Sequence, residues 1–151
     1  MSPMDGDQVA RPRLVALVGP TASGKTDLGV ALATRIDAEI VSVDSRQVYR
    51  RLDIGTAKPD TAARAAVPHH LLDVVEPDQH FDAARFAELG RATVSDVLAR
   101  GRNVLLVGGS GLYLRALTEG LCPAPPADPG IRAELARELA VHGPAALHAE
   151  L

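Results

Sequence analysis

A short glycine-rich segment carries the strongest chemical signal in the chain. Residues 19–26 read GPTASGKT, a glycine followed by four residues and then Gly-Lys-Thr. In this pattern backbone N–H groups point into the loop, the following helix adds the positive end of its dipole, and Lys25 adds a point charge. The Thr26 hydroxyl is placed to bind Mg²⁺. The segment therefore predicts a site for a di- or triphosphate with Mg²⁺.

A carboxylate is expected beside this loop. Asp44 follows the apolar segment at residues 39–43, which places it at the carboxyl end of a predicted strand. There it can bind a metal or accept a proton from an incoming nucleophile, and the residues alone leave both roles open. An ordinary triphosphatase needs a further acid at a strand end, but the segment at 103–109 runs into GGSG. Nucleotide hydrolysis, kinase chemistry and other group transfers all remain open at this point.

The apolar segments around these residues predict a parallel sheet flanked by helices. Short, wholly apolar runs are typical of strands buried on both faces, and apolar residues three and four apart are typical of helices. The predicted elements are strand 14–18, helix 25–36, strand 39–43, strand 71–75, helix 82–100 and strand 103–109. Asp82 is expected to cap the second helix, and Gly101 to follow its end. This order predicts an α/β fold of the P-loop NTPase-like class, with ligands at the carboxyl ends of the strands.

Composition and proline content suggest the domain organisation. Residues 1–12 are expected to be a flexible tail, 13–121 the core, and 122–151 a proline-rich linker followed by the start of a helical region. The formal net charge of −3 excludes a global basic field, so nucleic acid would have to bind a local patch. A single cysteine allows no internal disulfide and indicates a reducing cytoplasm. No apolar run is long enough for a membrane span, so we expect no membrane partner.

Four motifs occur in order and carry a family resemblance. They are GPTASGKT, SVDSRQVYRRLDIGTAKP, PHHLLDVVEP and LLVGGSGLYLRALTEGL. Together they closely resemble the tRNA dimethylallyltransferases, also called tRNA isopentenyltransferases, from about residue 14 to the last residue. Adenylate isopentenyltransferases share the loop and the strand-end aspartate, but DIGTAKP and GGSGLY look more like the tRNA-modifying branch. The resemblance is to the amino-terminal half of that family, which implies an incomplete core and a truncated helical region.

The resemblance implies a specific reaction. A dimethylallyl group would pass from dimethylallyl diphosphate to N6 of the adenosine just 3′ of the anticodon in tRNA, with diphosphate as the leaving group. Asp44 matches the general base of the family, and Thr21 matches the threonine that hydrogen-bonds the bridging oxygen. Thr26 would bind the Mg²⁺ cofactor. The positions that match the diphosphate or nucleotide (ATP) site are Gly19, Pro20, Thr21, Ala22, Ser23, Gly24, Lys25 and Thr26.

The resemblance also implies where tRNA is contacted. Its anticodon stem–loop would meet Asp44, Ser45, Arg46, Gln47, Ser110 and Arg132. The amide of Gln47 has the geometry to read an adenine edge, and Tyr49 and Tyr113 either stack on bases or pack inside. The enzyme is expected to be a cytoplasmic monomer. Two other functions stay open, a small-molecule kinase or ATPase with the same loop, and a truncated remnant without activity.

Overall fold

The computed structural model describes residues 14–122 and 128–150. The predicted flexible tail at 1–12 and the prolines at 123–126 lie outside the described residues. The elements in chain order are β1 (Val15–Val18), α1 (Lys25–Arg35), β2 (Ala38–Val43), α2 (Thr61–Ala66), β3 (His69–His70), α3 (Ala83–Ala99), β4 (Asn103–Gly108), α4 (Gly111–Thr118) and α5 (Pro129–Ala149). The chain divides into two compact units, Met1–Leu121 and Cys122–Leu151.

The first unit contains a four-stranded sheet in the order β1-β4-β2-β3, and every pair of neighbouring strands is parallel. Strand β2 is buried along its whole length, including its polar residues Glu39 and Ser42, as expected for a strand covered on both faces. Its residue Ile40 lies opposite Leu105 of β4 on one side and His69 of β3 on the other. The predicted α/β class with a parallel sheet is confirmed.

The two faces of the sheet hold separate parts of the core. On one face, Val41, Val43 and Leu106 pack with Phe86 and Tyr113, which belong to α3 and α4. On the other face Ile40 and Leu105 pack with residues that include Ala33 of α1 and Val67 after α2. Because strand side chains alternate between faces, odd and even positions of β2 belong to different clusters. The phosphate-loop helix α1 thus lies on the face of Ile40.

The predicted strand at 71–75 is wrong. The third strand is the two-residue β3 at His69–His70, and Val75 makes only an isolated bridge with Tyr49. Leu71 and Asp73 have φ values of 60° and 56°, and residues in the left-handed region cannot continue a ladder. The Asp73 carboxylate instead accepts hydrogen bonds from Lys58 and Arg64. The apolar run is therefore a bent segment whose Leu71 and Val75 side chains are buried.

The helix signals around α3 agree with the structure. Asp82 caps the helix by accepting a hydrogen bond from the Arg85 N–H at 2.9 Å, and Gly101 follows with a φ of 75°. The sequence pattern does not predict the short helix α2. Asp60 caps it at 2.8 Å from the Ala63 N–H, and six residues are too few to show a helical period in sequence.

The second unit consists of α5 within the described residues. Asp128 caps its start by accepting a hydrogen bond from the Gly130 N–H at 2.7 Å. Gly143 has non-helical dihedral angles (φ 75°, ψ 170°) and is followed by Pro144, so two helical segments meet there. Ile131, with Leu135 and Leu139, is exposed.

Candidate active site

The glycine-rich segment forms a loop between β1 and α1. Ala22 and Gly24 both have positive φ values, 63° and 77°. Glycine adopts this conformation without strain, whereas for alanine it costs on the order of 1 kcal/mol. Strained backbone of this kind turns successive N–H groups toward one point, which is how phosphate-binding nests are built. This backbone geometry is consistent with a phosphate loop, and the binding of phosphate at residues 19–26 stays a prediction.

Hydrogen bonds inside the loop hold its shape. The Ser23 hydroxyl donates to the Pro20 carbonyl at 2.8 Å. The Lys25 ammonium group donates to the same carbonyl and lies 3.3 Å from Ser23 Oγ. The Pro20 carbonyl therefore holds the Ser23 and Lys25 side chains at the opening of the loop, where both could also bind an anion.

Asp44 lies directly after β2 and organises the turn that follows. Its Oδ1 accepts hydrogen bonds from the backbone N–H groups of Arg46 at 2.8 Å and Gln47 at 3.2 Å. An aspartate that bonds its own backbone two residues on forms an Asx-turn, which fixes the side chain direction. The carboxylate is therefore oriented before any ligand binds.

Ser110 connects this turn to the end of β4. Its Oγ accepts a hydrogen bond from the Ser45 N–H at 3.0 Å, and its own N–H donates to the Val43 carbonyl at 3.2 Å. The strand ends approach so closely that a Cβ at Gly108 would overlap the Val43 carbonyl. Glycine at this position is what allows the two strand ends to meet.

Gln47 has a role that the sequence did not indicate. Its Oε1 accepts a hydrogen bond from the Ser42 hydroxyl at 2.9 Å, and its Nε2 donates to the carbonyls of Thr56 at 3.2 Å and Ala57 at 3.1 Å. Both ends of the amide are thus hydrogen-bonded within the chain, and Gln47 holds the segment 55–57 against β2. That Gln47 reads an adenine edge stays a prediction.

The same segment is anchored by a buried lysine. The Lys58 side chain is 1% exposed. Its ammonium group donates to the Tyr49 carbonyl at 2.6 Å and to the carboxylates of Asp53 at 2.8 Å and Asp73 at 2.6 Å. Burial by itself would lower the pKa of Lys58, but the two carboxylates outweigh that effect and raise it. Lys58 is therefore charged, and its ammonium group is hydrogen-bonded to three acceptors within the chain.

These elements surround a cleft of about 610 Å³. It brings together most of the predicted site residues, and Gly19 and Pro20 shape the loop without lining the cleft. The other lining residues come from the start of α1, from β2, from the segment 55–59, from β3 and from the end of β4. The predicted residues that line it are Thr21, Ala22, Ser23, Gly24, Lys25, Thr26, Asp44, Ser45, Arg46, Gln47 and Ser110.

Some residues that the sequence analysis named do not line the cleft, and one that it did not name does. Arg132 lies in the second unit, in the first turn of α5, where it is exposed. Tyr113 is 7% exposed and stacks on Phe86 with ring centroids 4.4 Å apart, so it packs inside. His69 was not singled out as a site residue, yet it lines the cleft. Only the pairing of β3 with β2 reveals this, since a histidine beside a short strand has no distinctive sequence signal.

Few side chains near the cleft offer oxygen atoms that could bind a magnesium ion. Across residues 14–122 and 128–150, no group of three or more His, Cys, Asp or Glu residues is arranged as a metal site. In phosphate-loop proteins Mg²⁺ takes one or two protein oxygens and completes its shell with phosphate and water. The Thr26 hydroxyl and the Asp44 carboxylate, which both line the cleft, fit such a role. Over the same residues, no helix combines the length and apolarity needed to cross a membrane.

The fold and the cleft define the class of protein. A parallel sheet, a nest-like loop between β1 and α1, and a cleft at the carboxyl ends of the strands place the chain in the P-loop-like α/β class. The family model described as IPP transferase matches residues 47–151. The chain belongs to this family.

Similar proteins agree with that assignment. A tRNA dimethylallyltransferase of Stenotrophomonas maltophilia (strain R551-3) is 59% identical over 93% of this chain and 44% of its own length. One of Anaeromyxobacter sp. (strain Fw109-5) is 60% identical over 92% of this chain and 46% of its own length. The chain thus spans less than half of these prenyltransferase relatives.

Two solved structures have the same fold. The tRNA isopentenylpyrophosphate transferase of Bacillus halodurans has a TM-score of 0.73 and 42% identity, over 93% of this chain and 46% of its own. A eukaryotic dimethylallyltransferase acting on tRNA has a TM-score of 0.72 and 26% identity, over 80% of this chain and 31% of its own.

Proposed function

We propose that the chain forms the donor-binding part of an enzyme that transfers a dimethylallyl group from dimethylallyl diphosphate to N6 of the adenosine 3′ of the anticodon in tRNA. The observation that carries the proposal is that one cleft joins the phosphate loop, Thr21–Thr26, with the carboxylate of Asp44. A leaving group and a base are both needed for alkyl transfer to an amine.

Several residues of the cleft have a proposed role in the transfer reaction. The loop amides and Lys25 would bind the diphosphate, Thr26 would hold Mg²⁺, and Thr21 would donate to the bridging oxygen where negative charge develops. Mg²⁺, when bound, neutralises the phosphate oxygens. Asp44 accepts the proton of the attacking amine. Its Asx-turn supports this role, because an oriented base requires little rearrangement during the reaction.

The tRNA contacts are proposed for the turn after β2 and for the end of β4. Ser45 and Arg46 are exposed at the cleft, and Ser110 holds that turn through the Ser45 N–H. Arg132 is proposed as a phosphate contact of the anticodon stem, since it is exposed and always charged. The proposed setting is the cytoplasm, with the enzyme acting as a monomer on single tRNA molecules.

A binding experiment tests the donor assignment. Thermal melts of the 151-residue chain with Mg²⁺ are compared after addition of dimethylallyl diphosphate or ATP. A ligand at 100 times its dissociation constant adds about 2.7 kcal/mol, which corresponds to several degrees for a domain of this size. We expect the prenyl donor to raise the melting temperature more than ATP at equal concentration. A larger effect of ATP would favour a kinase or ATPase, and no effect of either would favour an inactive remnant.

Matched variants locate the site. Lys25→Ala should weaken diphosphate binding by roughly 1.5 to 3 kcal/mol, the range for a hydrogen bond to a charged group. Arg35→Ala removes the same charge from the exposed last turn of α1 and should leave binding unchanged. Asp44→Asn keeps an oxygen for the turn and should spare donor binding while abolishing transfer. If Asp44→Asn weakens donor binding as much as Lys25→Ala does, Asp44 binds the metal rather than the amine proton.

A further inference from the structure

The cleft extends from the phosphate loop along one face of β2. Ile40, Ser42 and Asp44 all line it, as alternate residues on one face of a strand do. Asp44 lies at the carboxyl end, and Ile40 lies four residues earlier, which is roughly 13 Å along a parallel strand. The Ser42 hydroxyl between them donates to Gln47. The cleft therefore has a polar mouth at Asp44 and an inner end at Ile40.

The inner end is apolar apart from one ring. Ile40 is 2% exposed and pairs in register with His69 of β3, so the two side chains lie side by side on the same face. Val107 of β4 lies one row closer to the mouth, opposite Ser42. Pro59 adds a further apolar wall. An alkyl group that entered from the mouth would meet Ile40 and His69 last.

The His69 ring is held in a fixed position and charge state. Its Nδ1 lies 2.7 Å from the Val67 carbonyl oxygen, and because a carbonyl only accepts, Nδ1 carries the proton. Burial lowers the pKa of His69, and the positive charge of Arg64 lowers it further, against the effect of the Val67 bond. The ring is therefore neutral at pH 7. A neutral ring does not attract phosphate, but it presents a flat surface to an alkyl chain.

We propose that His69 determines the length of the prenyl chain that the donor site accepts. This inference rests on the proposed donor function. With the diphosphate fixed by the loop at the mouth, a five-carbon group extends toward Ile40 and His69. A ten-carbon donor adds a second unit along the same path, where the imidazole ring stands. The ring therefore admits dimethylallyl diphosphate and excludes geranyl diphosphate.

Calorimetric titration of the 151-residue chain tests this. With Mg²⁺ present, the probes are inorganic pyrophosphate, dimethylallyl diphosphate and geranyl diphosphate. We expect the chain to bind the five-carbon donor at least about tenfold more tightly than the ten-carbon donor, since one methylene group is already worth about that much in a shaped pocket and the ten-carbon donor adds five carbons. His69→Ala should raise the affinity for geranyl diphosphate about tenfold and leave that for pyrophosphate unchanged.

Three variants distinguish a steric effect of the His69 ring from a general loosening of strand β3. His70→Ala makes the same change one residue later, where the ring bonds Glu39 at 2.6 Å, and should keep the five-carbon preference. His69→Phe retains a flat ring and should also keep it. His69→Asn keeps an N–H for the Val67 carbonyl in a smaller side chain, so it should relax the preference even if His69→Ala proves too unstable to study.

The outcomes distinguish the inference from the function on which it rests. If pyrophosphate does not bind the unaltered chain, the proposed function fails and the inference fails with it. If pyrophosphate and dimethylallyl diphosphate bind, but His69→Ala and His69→Asn both leave the preference unchanged, only the inference is overturned. Equal relaxation by His70→Ala would likewise overturn it, because the effect would then belong to the strand and not to the ring.

Discussion

Replacement of Lys58 by methionine should destabilise the chain strongly. The Lys58 side chain is 1% exposed, and its ammonium group donates to a backbone carbonyl and two carboxylates. Methionine keeps most of the chain length but removes every donor. The Tyr49 carbonyl then loses this partner, and Asp53 and Asp73 lose the positive charge between them. The segment 53–58, which contains part of the cleft wall, then keeps its bonds to Gln47 but loses those to Lys58.

The magnitude follows from how exposed each partner is. Removing one member of a buried charge pair costs about 3 to 5 kcal/mol. The Asp53 side chain is 63% exposed and regains water, and Asp73 keeps its hydrogen bond to Arg64 at 2.9 Å. These compensations reduce the expected loss to about 2 to 4 kcal/mol.

Urea unfolding at pH 7 measures this loss, with Arg64→Met as the matched control. Arg64 bonds the same carboxylate of Asp73, but its side chain is 36% exposed, so its removal should cost about 1 kcal/mol or less. A Lys58→Met free energy of unfolding within about 0.5 kcal/mol of the unaltered chain would refute the reasoning, since the buried lysine would then not anchor the segment.

Three further changes test the core by urea unfolding. The Arg100 guanidinium, with help from His70 and against the effect of burial, lowers the pKa of Glu39 from 4.5 to about 2. The lowered pKa contributes about 3 kcal/mol to the free energy of unfolding above pH 4.5, and this contribution is lost as pH falls through 2. The difference in unfolding free energy between the unaltered chain and Glu39→Gln should therefore disappear over that pH range. A difference that stays constant with pH would contradict the pKa assignment. Gly108→Ala should cost more than about 3 kcal/mol because its Cβ meets a backbone carbonyl that cannot rotate away, whereas Gly111→Ala, with open space around it, should not. Phe86→Ala should cost about 3 to 5 kcal/mol by leaving a cavity beside Tyr113, and a loss under 1 kcal/mol would mean that the core collapses around it.

The agreement between sequence and structure is best where the signal is local. The apolar runs of β1, β2 and β4, the Asp82 cap and the glycine-rich loop are all decided by residues next to one another in the chain. The prediction failed at 71–75, where the apolar run resembles a strand. There Asp73 has a positive φ and pairs with Lys58, a residue 15 positions away, and a partner so distant in sequence leaves no local signal.

The candidate site divides in the same way. The sequence by itself determined the phosphate loop, the position of Asp44 at a strand end and the parallel order of the fold, because these depend on residue type and short-range spacing. Only the tertiary structure decided that the Gln47 amide is hydrogen-bonded to the loop 55–57 and that His69 lines the cleft beside Ile40. Both depend on which strands and loops become neighbours, and that is set by the packing of the whole core rather than by any one segment.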